Sequence, residues 1–169
     1  MNKQLILSAI FAALIAICSQ IQIPLPMVPI NAALLAVHVL GALLKPKYAA
    51  ISVLVFLLLG FIGLPVFSNF SGGATVLFGA TGGYLVGYMF DALIISFGLT
   101  KLKRTNLNIA LLATLGTIAC YTFGTIWFMF VMKLDLIASL TYCAFPFIPG
   151  DIIKIVIATI LIQRLQYRN

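Results

Sequence analysis

Apolar residues run along this chain in long stretches broken by short clusters of Pro, Gly, Lys and Arg. Crossing the hydrocarbon core of a bilayer takes ~20 apolar residues as a helix. Runs near that length extend from about Leu5 to Ile21, Ile30 to Leu44, Tyr48 to Ile62, Gly82 to Leu99, Ile109 to Met132 and Pro149 to Leu165. The pattern predicts six spans. Between the first two lies Ile23-Pro24-Leu25-Pro26-Met27-Val28-Pro29, which cannot be a regular helix interior, because Pro lacks the N–H and disfavours helix in the residue before it. A short segment, Leu134 to Phe147, has room for one or two helical turns. The stretch from Gly63 to Gly83 is uncharged and glycine-rich, apolar yet unsuited to one continuous helix. Irregular backbone exposed to lipid leaves N–H and C=O groups unpaired, so this stretch must pack on protein or line a cavity.

Composition agrees. The chain has 169 residues, 63% of them hydrophobic and only 8% charged, against about 25% charged in an average soluble domain. There is too little polar side chain to make a water-facing surface. The expected fold class is an all-α integral membrane protein of six transmembrane helices, with an irregular Gly/Pro-rich extracytoplasmic loop between helices 3 and 4. Residues 1–169 read as a single transmembrane domain. The first run is long and leads straight into others, so it is expected to remain a span rather than be removed as a signal peptide.

Charge adds orientation. With six spans, Lys3, Lys45, Lys47, Lys101, Lys103, Arg104, Arg164 and Arg168 fall on one side, and Lys133, beside Asp135, on the other. The positive-inside rule predicts cytoplasmic termini in a bacterial-type, multi-pass cell membrane. The net charge of +7 therefore reads as orientation; nucleic-acid binding would need the basic residues on one solvated face. The Pro- and Gly-rich segments and Asp151 then converge on the extracytoplasmic half.

Candidate chemistry is sparse. There is no glutamate, and no Walker A, HExxH or GxSxG sequence, so neither ATP hydrolysis nor acid–base catalysis is expected of this chain. Cys18, Cys120 and Cys143 lack paired or metal-ligand spacing and read as small apolar side chains; His38 has no neighbour in sequence to orient it. Asp151 and Lys154 stand three apart, on one helix face. An ionisable group in a span usually pairs or serves a site, so these two are either a private ion pair or the polar end of a ligand cavity. Asp91 lies mid-helix without a second carboxylate or His beside it and reads as a structural bond to a neighbouring helix, with an ion path as the alternative. Phe67, Asn69, Phe70, Thr81, Tyr84 and Tyr88 have the chemistry of a mostly apolar pocket with a few placed polar groups. On the first helix, Ala9 and Ala13 form a small-x-x-x-small pattern that permits close helix approach.

Four segments together carry a resemblance: Ile23-Pro24-Leu25-Pro26-Met27-Val28-Pro29-Ile30; Gly63-Leu64-Pro65-Val66-Phe67 with Gly72-Gly73; Gly79-Ala80-Thr81-Gly82-Gly83-Tyr84-Leu85; and Phe147-Ile148-Pro149-Gly150-Asp151-Ile152-Ile153-Lys154. In this order and spacing the chain resembles the BioY family, the biotin-specific substrate subunit of energy-coupling-factor (ECF) transporters. The resemblance implies biotin as ligand and no cofactor. It implies a transmembrane coupling protein and two cytoplasmic ATPase subunits as partners, beside membrane lipid. Asp151 and Lys154 match the family's ligand-binding Asp and Lys, and Ala9 and Ala13 match its partner-contacting alanines. In biotin, a ureido ring offers two N–H donors, for which Asp151 and Asn69 are the expected acceptors. Its apolar body suits Phe67 and Tyr84, and its carboxylate suits Lys154 or backbone N–H groups such as that of Gly73. Thr81 and Asn31 complete the expected set. The sequence departs from the family where Thr and Gln often follow the Pro-rich segment, here Asn31 and Ala33, and where Pro often precedes Thr-Gly-Gly, here Ala80. Two alternatives stay open: a stand-alone secondary transporter or channel coupled to protons through Asp91, and a substrate subunit for another vitamin.

Overall fold

The structure, a computed structural model, describes residues 3–25 and 27–166; Pro26 and Arg168 of the sequence reading lie outside them. The apolar runs become helices α1 (Lys3–Gln20), α2 (Ala33–Leu43), α3 (Pro46–Phe61), α5 (Gly82–Lys101), α6 (Asn106–Met132) and α8 (Ile148–Gln166), with a four-residue α4 (Ala74–Leu77) and a two-turn α7 (Leu136–Cys143) between them. Three of them, α1, α5 and α6, are long and apolar enough to cross a membrane alone, and α7 with α8, bent by 51° at their break, amounts to a fourth. α2 and α3 are shorter; at 1.5 Å per residue the 11 residues of α2 reach about halfway across a ~30 Å core.

The burial pattern inverts that of a water-soluble protein. On α1 the inward face is Ser8, Phe11, Ala12, Ile15 and Ser19, while Leu5, Ile6, Ile10, Leu14 and Ile17 are exposed. On α6, Leu107, Leu111, Leu115, Ile118, Ile126 and Phe130 face outward, and Gly116, Thr117, Cys120, Gly124 and Thr125 face inward. Small and hydroxyl-bearing residues inside, branched apolar residues outside, is the arrangement a lipid solvent selects, since close packing rather than water exclusion joins the helices. The α5–α6 contact shows how close. A Cβ on Gly87 would lie 2.7 Å from Cys120 Sγ, and one on Gly116 would lie 2.0 Å from Asp91 Oδ1.

The all-α expectation needs one correction. Helix α2 begins at Ala33 rather than Ile30, because Ile30–Asn31 (β2) pairs antiparallel with Gln22–Ile23 (β1). The intervening prolines cannot donate hydrogen bonds, so the segment turns back as a small hairpin instead of extending α1 or α2. The Gly63–Gly83 stretch is also less irregular than expected. It holds a 3-10 turn, Ser68–Phe70, and α4, and it packs on protein as its composition requires: Phe67 is fully buried, its ring edge-on to Phe56 at 5.4 Å.

Side-chain bonds tie the ends of the bundle. The Lys45 N–H donates to Gln4 Oε1, and Gln163 Nε2 donates to the Arg104 carbonyl at 2.8 Å. The chain start, the α2–α3 turn, the α5–α6 turn and the end of α8 thus share one end, where the described basic residues other than Lys133 and Lys154 gather. The hairpin and the 62–81 connection occupy the opposite end, the connection bonded to the last turn of α1 through Gln20 and to the hairpin through Gln22.

Candidate functional site

At that opposite end lies a cavity of about 320 Å³, in the range of small-molecule sites, ~300–1,000 Å³. Every major element except α1 and α3 contributes a wall. The hairpin supplies Val28 and Asn31, α2 supplies Leu34, and the 62–81 connection supplies Phe67, Ser68, Asn69 and Thr81. Helix α5 supplies Tyr84 and Tyr88, α6 supplies Cys120 and Tyr121, α7 supplies Cys143, and α8 supplies Asp151 and Lys154. The aromatic walls brace one another: Tyr84 stands edge-on to Tyr121 at 6.3 Å, and Tyr121 to Phe147 at 6.5 Å.

Pro149 falls inside the first turn of α8, where its missing N–H breaks no helical bond. Asp151 follows in that turn, favoured by the helix dipole. Its Oδ1 accepts from Lys154 Nζ at 2.7 Å, and both side chains are largely buried, 6% and 13% exposed. The ion pair anticipated from the spacing is present, and it lines the cavity, so the two sequence alternatives for this pair coexist. One oxygen serves Lys154; the other, Asp151 Oδ2, has no protein partner among the described residues, nor has the hydroxyl of Tyr121. A buried polar atom without a partner costs about 1–3 kcal/mol. Both residues line the cavity, one from α8 and one from α6.

Other expected residues are placed with altered roles. Asn31 is already engaged: Nδ2 donates to Ser68 Oγ at 2.8 Å, and Oδ1 accepts from the Tyr88 hydroxyl at 3.3 Å and from the Ala33 N–H at 3.1 Å. It thus joins hairpin, loop and α5, and its acceptor is full. The Tyr84 hydroxyl bonds Thr125 Oγ1 at 3.0 Å, leaving the ring to the cavity. Asn69, expected as an acceptor, already has its Oδ1 bonded by Gln22 Nε2; what it presents is its amide N–H groups. Gly73, expected to offer its N–H, does not line the cavity. Its N–H donates to the Gly60 carbonyl at 2.7 Å, and its φ of 96° makes the turn into α4, a conformation glycine adopts without steric cost. Ala9 and Ala13 are exposed on the outer face of α1.

Tyr121 and Leu34, which line the cavity, are not among the residues the sequence reading singles out. For Tyr121 a signal existed: Thr117, Cys120, Tyr121, Gly124 and Thr125 form one small-and-polar stripe at helical spacing within an otherwise apolar run. Reading Cys120 and Cys143 as small apolar side chains missed that both line the cavity; all three cysteines are free.

The reading of Asp91 and His38 as lacking an ionisable neighbour is wrong. Asp91 Oδ2 lies 3.5 Å from His38 Nε2, both fully buried, and His38 Nε2 lies 3.1 Å from Thr117 Oγ1. Since the Thr117 hydroxyl donates to the Ala113 carbonyl, it accepts from the Nε2–H. The triad joins α2, α5 and α6 one turn below the cavity-lining Leu34, Tyr88 and Cys120. Residues 38, 91 and 117 are far apart in sequence, which is why no spacing rule finds them.

An apolar cavity in a helix bundle of membrane character, with an ion pair and unpartnered polar atoms on one wall, defines a small-molecule-binding membrane protein. The chain matches the BioY family over residues 1–168 and belongs to that family. It is similar to the biotin transporter BioY2 of Lactococcus lactis subsp. cremoris, 36% identical over 98% of this chain and 93% of that one. It is also similar to the biotin transporter BioY of Thermotoga maritima, 38% identical over 97% and 96%. A crystal structure of the S-component for biotin from an ECF-type ABC transporter superposes with a TM-score of 0.91 at 35% identity, covering 99% of this chain and 92% of that one.

Proposed function

We propose that this chain captures biotin at the extracytoplasmic end of its bundle and delivers it across the membrane as the substrate subunit of an ECF-type, ATP-driven vitamin importer. The observation that carries this is Asp151: in a family whose named relatives are biotin transporters, its Oδ2 stands unpartnered on the wall of an apolar cavity while Lys154 neutralises Oδ1. Asp151 Oδ2 receives a ureido N–H, and the Tyr121 hydroxyl and the Asn69 amide add bonds. Phe67 and Tyr84 flank the apolar body, Thr81 and Asn31 border it, and Gly73 shapes the turn beside them. Helices α1, α2, α3, α5, α6 and α8 are the six spans. The end that carries Gln4 and most of the described basic residues faces the cytoplasm, a reading the positive-inside rule supports. Hydrolysis of ATP belongs to two partner subunits, coupled through a transmembrane protein that docks on Ala9 and Ala13. Binding of labelled biotin to the purified chain tests this: submicromolar affinity resistant to thiamine and riboflavin is expected, and no binding at micromolar biotin refutes it.

The His38–Asp91 contact favours one other reading, a secondary transporter coupled to protons, since it supplies Asp91 with the partner a relay needs. Below the pair, however, lie Leu40, Ile95, Leu99 and Leu112, and the buried Ser8, Ser52 and Ser96 each give their hydroxyl to a backbone carbonyl. Uptake into liposomes by this chain alone, abolished by Asp91→Asn, would restore that reading.

A further inference from the structure

The cavity wall formed by residues 65–71 takes bonds to its backbone from another element. Asn69 and Phe70 both adopt left-handed conformations, φ 60° and 51°, which L residues other than Gly adopt at a cost and keep only where surroundings hold them. The segment closes on itself through the Phe67 N–H to the Ser71 carbonyl at 3.0 Å and the Ser71 N–H to the Ser68 carbonyl at 3.3 Å. The Phe67 carbonyl and the Phe70 N–H also have a partner outside the segment. One side chain, from another element, takes both. Gln20, in the last turn of α1, donates from Nε2 to the Phe67 carbonyl at 3.0 Å and accepts at Oε1 from the Phe70 N–H at 2.9 Å. Its Nε2 also lies 3.5 Å from the Pro65 carbonyl and 3.3 Å from that of Ala16 in its own helix. Two residues on, Gln22 Nε2 bonds the Asn69 side chain.

We propose that Gln20 is a positioning residue for the ligand: without lining the cavity, it holds the 65–71 segment in the strained form that sets Phe67, Ser68 and Asn69 against the bound molecule. An amide suits the task where other groups fail. A carboxylate accepts from the Phe70 N–H but turns a negative oxygen toward the Phe67 carbonyl, and an apolar side chain bonds neither backbone group. The ligand part of this inference rests on the biotin reading above; the loop-holding part does not.

Hydrogen exchange on the purified full chain in detergent, followed by mass spectrometry of peptides spanning 65–71, reads the loop directly. Biotin dissociation measured by chase with unlabelled biotin reads the ligand. Gln20→Met is expected to speed exchange in that segment and biotin dissociation each by about tenfold or more, the effect of losing two hydrogen bonds. Exchange across α5 and α6 is expected to stay at wild-type values. Gln20→Glu, keeping one of the two bonds, is expected to show a smaller change in both, and it serves as the informative variant if Gln20→Met does not fold. Unchanged exchange at 65–71 in a folded variant overturns the proposal. So does faster exchange with an unchanged dissociation rate, which would leave Gln20 with no bearing on the ligand. A wild-type chain that binds no biotin refutes the biotin reading instead, and exchange alone then decides whether Gln20 holds the loop.

Discussion

Replacing Asp151 with asparagine changes one oxygen to an amide nitrogen and preserves shape, so it isolates charge from packing. Two interactions respond. Lys154 Nζ, 2.7 Å from Oδ1, retains a neutral acceptor but loses its counter-charge, in a place where its side chain is only 13% exposed. Oδ2, which has no protein partner among the described residues, no longer offers an anionic acceptor to a ligand N–H. A hydrogen bond to a charged group contributes about 1.5–3 kcal/mol, so Asp151→Asn is expected to weaken biotin binding roughly tenfold to a hundredfold. Titration calorimetry on the purified variant measures this, with a thermal melt confirming that it stays folded. Lys154→Gln, and the double variant, complete a cycle: if the two residues act on the ligand as one unit, the double variant loses less than the sum of the singles. A folded Asp151→Asn protein with affinity within about twofold of wild type would refute the reasoning and make the pair a structural ion pair that happens to line the cavity.

Other substitutions probe separate parts of the molecule. Ala9→Trp enlarges the exposed face of α1 without touching the cavity; biotin binding is expected to be intact and co-purification with the coupling protein lost. His38→Leu strands Asp91 in the interior and is expected to cost about 3 kcal/mol, lowering the melting temperature followed by the fluorescence of the single tryptophan, Trp127. Replacing both His38 and Asp91 with leucine is expected to recover part of that loss. Gly116→Ala would set a methyl 2.0 Å from Asp91 Oδ1; overpacking of this kind costs about 1–3 kcal/mol, seen as a lower melting temperature with weaker biotin binding.

The helices were legible in the sequence because a bilayer imposes a minimum apolar length on any span, and punctuation by Pro, Gly, Lys and Arg set their ends. Where punctuation was absent, ends moved: Ile30 and Asn31 are apolar or neutral enough to belong to α2, yet they pair as a strand with the chain before the prolines. Asp151 and Lys154 were legible because they share one helix turn and because charge in a span calls for a reason. Asn69 shows the limit. Its residue type marked it as polar chemistry beside the cavity, but which of its atoms remains available depends on Gln22, a residue 47 positions away. The His38–Asp91–Thr117 triad was illegible for the same reason, since helix packing brings the three residues together and no local pattern records it.

The triad beneath the cavity has a mechanical consequence. Asp91 approaches His38 to 3.5 Å, and Thr117 lies 3.1 Å from the same imidazole nitrogen, so the three helices cannot slide past one another without drawing a buried carboxyl away from its imidazole in a medium that offers no water in its place. The floor of the cavity is therefore stiff. The opposite wall is a two-residue strand pair and a strained turn, held by amide side chains near water. The cavity is thus bounded by walls tied in different ways, buried polar contacts between helices below and side-chain amides above.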